Sequence, residues 1–224
     1  MKPLVIAHRG DTINFPENTI AAFKSAFERG ADGVELDIQY FRSKLIVVHN
    51  YLFDKNISYP ELSEVLEAFV SKGRLEIEIK SLDLEFMPKL KQLISKYPTA
   101  DIEITTSVWP LVSYLRKNFP AINLGIIFLD KEFEDWMTED FICTKILSMM
   151  KLMNANVAHI PWKILVVNPT MIERLHDLKM KIHSHIFKQD INKEKEIYKQ
   201  MVELEVDQCT IDDIELIGLL RNLK

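Results

Sequence analysis

The sequence is poor in glycine and poorer in cysteine. It holds six glycines in 224 residues, against around 16 at an average usage of about 7%. Only Gly30 and Gly33 lie close together, so there is neither a G-x-G-x-x-G nor a G-x-x-x-x-G-K-[ST] stretch. That excludes both a dinucleotide fingerprint and a P-loop. The two cysteines, Cys143 and Cys209, are far apart and form no C-x-x-C, which excludes a disulfide framework or a structural zinc knot and fits a reducing compartment. Basic runs are missing too. A net charge of −5 and a pI near 5.7 argue against nucleic acid as a partner. No stretch approaches the roughly 18 apolar residues of a membrane span. The early run Leu4-Val5-Ile6-Ala7 is too short for a secretory leader and meets the charged pair His8-Arg9 at once. These absences predict a soluble, cytoplasmic protein without stable membrane insertion; they leave the oligomeric state open.

What is present is ample material for a core, with 47% of residues apolar and 27% charged. At roughly 150 residues per domain, the length fits two small domains or one large barrel. Strand patterns at 4–8, 33–38, 75–79, 101–105, 122–128, 156–160, 181–187 and 207–211 alternate with helix patterns at 19–29, 61–72, 84–96, 109–118, 132–153, 169–179, 192–204 and 213–222. Asn18 reads as the N-cap of the first helix, with Gly30 just past its end. A further short run, 45–48, extends the region of the second strand. Eight strands, each followed by a helix, with no linker or repeat, predict one domain over 1–224: a compact α/β TIM (β/α)8 barrel without a sizeable insertion domain. A doubly wound open sheet is the alternative, weakened by the missing glycine-rich turn.

Two strands depart from the continuous apolar run expected of a buried parallel sheet. In Val34-Glu35-Leu36-Asp37-Ile38, period-two alternation puts both carboxylates on one face; Leu75 to Lys80 repeats this with Glu76, Glu78 and Lys80. If the apolar faces pack on helices, the carboxylates point into the barrel. There they repel one another and cost several kcal/mol each to desolvate alone, so a cation must sit among them. Oxygen-only ligands suit one hard divalent cation, Mg²⁺ or Ca²⁺. The plainer reading of a single E-x-D is an edge strand with a solvated face. Two histidines close the ends of neighbouring runs: His8, before Arg9 and Gly10, and His49. Such a pair beside a metal serves to take one proton and give another near neutral pH. Arg9 offers a planar donor fork for phosphate and Lys80 a point charge.

These residues fall in an ordered series that resembles the glycerophosphodiester phosphodiesterases: Ile6-Ala7-His8-Arg9-Gly10, Pro16-Glu17-Asn18-Thr19, Gly30 through Gln39, Val47-Val48-His49 and Ile77-Glu78-Ile79-Lys80. The resemblance is dense over about the first 80 residues. Beyond them only Thr105-Thr106-Ser107 and Val206-Asp207 through Asp212 echo it. It implies a TIM barrel that hydrolyses glycerophosphodiesters to glycerol 3-phosphate and an alcohol with a divalent metal. Position by position it implies Glu35, Asp37 and Glu78 as metal ligands, His8 as general base and His49 as general acid. Arg9 and Lys80 would hold the phosphate, and Glu17 would line the site; His185, from its own strand face, is a further substrate-binding candidate.

The chain departs from that pattern in places. Asn50 stands where the family usually has Asp after the histidine. Ser43-Lys44 replaces an Asp-Gly turn, and His185 falls where a Trp is common. The last strand, Glu205 to Gln208, lacks two glycines. Only 28 residues separate His49 from Glu78, so no substrate-covering insertion fits there and a more open pocket is expected. Larger lipid diesters, in a lysophospholipase D reaction, are the alternative substrate; a catalytically silent binding barrel is the alternative from another class. His183 and His185 share a strand face with a pocket-lining role open to them beside Glu103. His159 and His176 read as ordinary, Cys209 as a buried thiol, and Trp136 with Phe133 and Met137 as core packing or a lip for an acyl chain.

Overall fold

The computed structural model describes residues 2–186 and 189–221. Nine strands and nine α-helices are present among them: β1 (Leu4–His8), α1 (Ile20–Glu28), β2 (Gly33–Phe41), β3 (Lys44–Val47), α2 (Leu62–Phe69), β4 (Arg74–Ile79), α3 (Phe86–Ile94), β5 (Ile102–Thr106), α4 (Trp109–Asn118), β6 (Asn123–Ile127), α5 (Glu139–Met153), β7 (Val157–Pro161), α6 (Trp162–Val167), α7 (Pro169–Asp177), β8 (Lys181–His185), α8 (Ile191–Glu203), β9 (Gln208–Ile211) and α9 (Glu215–Arg221). The strand order β1-β9-β8-β7-β6-β5-β4-β2, with β1 also paired to β2, is a closed (β/α)8 barrel; β3 is appended outside β2. The expected ends at residues 187 and 222 lie outside the described residues. None of the described helices is long and apolar enough to cross a membrane.

The chain divides into two compact units. The unit of Ile6–Ile104, with the segment from Asp212, carries the sequence motifs. In it α1 starts where the Thr19 hydroxyl accepts from Ala22 N–H at 3.2 Å, so Thr19, not Asn18, is the cap. Phe23 and Phe27 of α1 pack on Phe69 of α2, with ring centroids 6.1 and 5.7 Å apart. The buried Arg74 side chain ion-pairs with Asp101 at 2.9 Å and Glu103 at 3.1 Å, which makes Glu103 a structural counter-ion to that guanidinium. The extra run at 45–48 is β3, antiparallel to β2 with Phe41 opposite Lys44. The two residues between, Arg42 and Ser43, both have left-handed φ, 47° and 62°. Such a turn matches the strand twist but is built most easily by Asn-Gly, so the sequence carries no signal for it.

The unit of Thr105–Ile211, with the segment up to Val5, holds its core between α4–α8 and β6–β9. Tyr198 is buried there, its hydroxyl donating to Pro3 C=O at 3.0 Å. Arg116 fastens the neighbouring loops, donating to the carbonyls of Phe119, Pro120, Ile122 and Asn154. The helix expected over 132–153 begins only at Glu139, because Thr138 caps it by accepting from Phe141 N–H. Trp136 is therefore left on a loop, 65% exposed and tilted against Phe141, and core packing is not its role. One further helix, α6, follows β7 directly before α7.

Candidate active site

The site begins where β1 ends. Arg9 and Gly10 both have left-handed backbone, with φ of 58° and 86°. At Gly10 a Cβ would meet Ala22 Cβ at 2.8 Å, so only glycine lets the turn close onto α1. Asp11 braces the turn from below. It is buried, accepts from the Asn14 side chain and Ser25 Oγ, and pairs with Arg29 at 3.4 Å. Burial works against its charge, but those donors outweigh it and hold the carboxylate below its ordinary range.

β2 and β4 lie parallel with Glu35 opposite Glu76 and Asp37 opposite Glu78. Glu35, Asp37 and Glu78 each place an oxygen within 4.8 Å of the other two. Two cations lean on this group. Arg9 Nε lies 3.1 Å from Asp37 and its Nη1 donates to Glu17 at 2.8 Å; Arg9 N–H donates to Glu35 at 3.1 Å. Lys80 Nζ donates to Glu78 at 2.7 Å and stands 3.4 Å from Asp37. Burial, followed by the charges of Asp37, Glu78 and Glu76, drives Glu35 well above the usual carboxylate range. Burial likewise pushes Glu78 up to about 7, with Lys80 opposing and Asp37 adding to the rise. For Arg9 and Lys80 burial disfavours charge, but the surrounding carboxylates, Asp37 for Arg9 and Glu78 for Lys80 foremost, outweigh it and both are raised. These cations do not saturate the acids. Glu35 Oε1 and Asp37 Oδ1 are buried and accept no hydrogen bond, although Asp37 Oδ1 faces Lys80 Nζ at 3.4 Å. An oxygen-only trio with two buried oxygens that accept no hydrogen bond fits a hard divalent cation.

Both histidines reach this unit's site. His8 sets Nε2 4.0 Å from Glu35 and Nδ1 2.7 Å from Asp212. His49 follows β3 after Val48, whose N–H donates to Asp37 C=O at 2.9 Å. Burial, helped by the charges of Arg9 and Lys80 and opposed by Asp37, lowers the His49 pKa; its Nδ1 lies 3.2 Å from Asn50 Oδ1. His8, Arg9, Glu17, Glu35, Asp37, His49, Glu78 and Lys80 thus all belong to one unit. His185 belongs to the other, where its Nε2 lies 3.2 Å from His159 Nδ1 and its ring meets that of His183 edge-on. His159 is buried in this group rather than ordinary, and His176 pairs with Asp207 at 3.0 Å.

Three residues of the site were not expected from the sequence. Asn18, freed from capping, is buried and donates to Asp37 at 2.9 Å. Gln39, on the same strand face as Glu35 and Asp37, donates to Asn50 C=O at 2.6 Å and so ties down the segment that carries His49. Its place on that face was legible from the alternation. Asp212 had no local signal beyond the faint last-strand echo.

Residues 8–55 match the profile of the glycerophosphoryl diester phosphodiesterase family. That stretch contains His8, Arg9, Glu17, Asn18, Glu35, Asp37, Gln39 and His49. A glycerophosphodiester phosphodiesterase of Caldanaerobacter subterraneus subsp. tengcongensis is 52% identical over 84 residues, 37% of this chain and 31% of that protein. The fold agrees along the whole length: the crystal structure of a glycerophosphodiester phosphodiesterase from Thermotoga maritima superimposes with a TM-score of 0.76 at 20% identity, covering 99% of each chain. Over the stretch 8–55 the chain is similar to the glycerophosphodiester phosphodiesterases. The sequence matches to curated relatives are partial. A Bacillus altitudinis glycerophosphodiester phosphodiesterase is 26% identical over 56% of this chain and 66% of its own length, so this chain matches a third to two thirds of these two relatives. Another structure with this fold, an Oleispira antarctica phosphodiesterase holding the product sn-glycerol-3-phosphate, has a TM-score of 0.76 at 13% identity, covering 98% of this chain and 96% of that one.

Proposed function

We propose that this chain is a glycerophosphodiester phosphodiesterase that hydrolyses glycerophosphodiesters to glycerol 3-phosphate and an alcohol, with one divalent cation, Mg²⁺ or Ca²⁺. The observation that carries this reading is the trio Glu35, Asp37 and Glu78, with two buried oxygens that accept no hydrogen bond, in the unit that also holds His8, His49, Arg9 and Lys80. The trio would hold the cation, which, when bound, neutralises the diester's charge and polarises its phosphoryl oxygens. Arg9 and Lys80 bind the remaining phosphate oxygens, and Glu17 fixes the Arg9 fork. His8 removes the proton from the attacking oxygen as the new O–P bond forms. His49 gives a proton to the leaving alkoxide as the old P–O bond breaks. His185 takes no step in this scheme.

A second reading, a lysophospholipase D acting on larger lipid diesters, is favoured by the apolar residues on the loops that carry the site. Tyr51 and Leu52 follow His49 at 59% and 96% exposure, and Leu82 and Leu84 follow Lys80 at 68% and 50%. A substrate panel separates the readings. Turnover of glycerophosphocholine and lysophosphatidylcholine is measured with Mg²⁺ or Ca²⁺, on wild type and on Leu52→Asp. The first reading predicts cleavage of glycerophosphocholine by both proteins. The second predicts preference for the lysolipid, lost in Leu52→Asp. No cleavage of either diester with either metal would leave a binding barrel.

A further inference from the structure

The two histidines of the site are held in different ways. His49 Nδ1 faces the neutral amide oxygen of Asn50 at 3.2 Å. His8 Nδ1 faces a carboxylate, Asp212 Oδ1, at 2.7 Å, across 204 positions of sequence. Asp212 is the residue directly after β9, and β9 neighbours β1 in the sheet. Asp212 lies outside the stretch 8–55 that matches the family profile, and it takes no step in the hydrolysis scheme.

We propose that Asp212 is the positioning residue of His8. A carboxylate is an acceptor only, so a 2.7 Å contact requires a hydrogen on Nδ1. In the neutral ring that leaves Nε2 without a proton, and Nε2 is the nitrogen directed toward the carboxylate trio, 4.0 Å from Glu35. Asp212 thus fixes both the tautomer and the ring plane of His8, with the Nε2 lone pair toward the site. When His8 takes a proton at Nε2, the imidazolium faces a negative partner at Nδ1, while the proton itself stays on Nε2 for release to solvent or product. The same geometry separates the roles of the pair: the carboxylate-backed ring accepts the proton, and the ring backed by Asn50 donates one.

The proposal rests on the phosphodiesterase reading for its catalytic consequence but not for the tautomer, so two measurements are paired. The first is long-range ¹H–¹⁵N correlation of the histidine rings above the pH at which they titrate. His8 is identified from the signal missing in His8→Ala. The expected result is the Nδ1–H form of His8 in wild type and its loss in Asp212→Asn. An Nε2–H form in wild type would overturn the proposal whether or not the protein is active. The second is steady-state hydrolysis of glycerophosphocholine with saturating Mg²⁺ by wild type, Asp212→Asn, Asp212→Glu and His8→Ala/Asp212→Asn. Asp212→Asn is expected to lower kcat at least about 100-fold with KM and Mg²⁺ affinity unchanged. Asp212→Glu should recover part of that loss, and the double variant should be no worse than His8→Ala alone. Wild-type kcat in Asp212→Asn, or a loss confined to KM or Mg²⁺ binding, would overturn the proposal. An inactive wild type with His8 in the Nδ1–H form would remove the phosphodiesterase reading and leave the positioning in place.

Discussion

Asn18 and Asp37 are joined by two hydrogen bonds: Asn18 Nδ2 donates to Asp37 Oδ2 at 2.9 Å, and Asp37 N–H donates to Asn18 Oδ1 at 3.1 Å. Both side chains are buried, and Asn18 holds a left-handed φ of 59° to make the pair. A residue whose type and position suggest a helix cap thereby sets the orientation of a proposed metal ligand.

Removal of that support should weaken cation binding without unfolding the protein. Outer partners of metal ligands are worth about 10- to 100-fold in affinity. Asn18→Ala is expected to raise the Kd for Mg²⁺ or Ca²⁺ by that amount in titration calorimetry, with the helix content by circular dichroism unchanged because Thr19 still caps α1. Unchanged affinity would mean that Asp37 is oriented by its strand alone.

The carboxylates make stability depend on pH in a defined sense. Burial raises Glu35 and takes Glu78 to about 7, both above their unfolded values. The folded state then holds protons that the unfolded state has given up, so the stabilising effect is complete below the unfolded pKa and is lost as pH rises through the folded one. The metal-free melting temperature should accordingly fall from about pH 5 to about pH 8. A bound divalent cation counters the charge that appears, so the rise in Tm on adding Mg²⁺ or Ca²⁺ should be larger at about pH 8 than at about pH 5.5. Scanning fluorimetry at the two pH values, with EDTA or metal, reads this directly; an equal rise at both would contradict it.

The hairpin between β2 and β3 is a site of avoidable strain. A left-handed residue with a side chain costs roughly 1–2 kcal/mol, and Arg42 and Ser43 are two such residues in succession. Replacing them together by Asn-Gly, the pair this turn prefers, is expected to stabilise the fold by about 1 kcal/mol. That is a Tm gain of about 2–4 °C for a chain of this size, without change in metal affinity. A lower Tm would show that the turn is held by contacts of the native side chains, such as the Arg42 guanidinium 4.9 Å over the Phe41 ring.

The barrel and the heart of the site were legible because they are written in local pattern. Alternation along Val34–Ile38 and Leu75–Lys80 is enough to put Glu35 and Asp37 on one face of their strand and Glu78 and Lys80 on one face of theirs. Parallel pairing of β2 with β4 then brings the two acidic faces together. What was not legible depends on contacts between distant segments or on weak local chemistry. Asp212 reaches His8 only because β9 lies beside β1. Asn18 satisfies the composition rule for a cap so well that its true partner, 19 residues on, is hidden. β3 lacks a turn signal since Arg42-Ser43 has neither Asn nor Gly. The long helix expected from 132 starts instead at Glu139, where the Thr138 hydroxyl accepts from Phe141 N–H.

Glu35, Asp37 and Glu78 are proposed to hold a divalent cation on which phosphodiester hydrolysis depends. ³¹P NMR of glycerophosphocholine incubated with the protein tests this proposal most directly. With Mg²⁺ or Ca²⁺ the diester resonance should give way to that of glycerol 3-phosphate, and the conversion should stop with EDTA and in Glu35→Gln. Conversion at the wild-type rate by Glu35→Gln or in EDTA, or an unchanged diester with either metal, would contradict it.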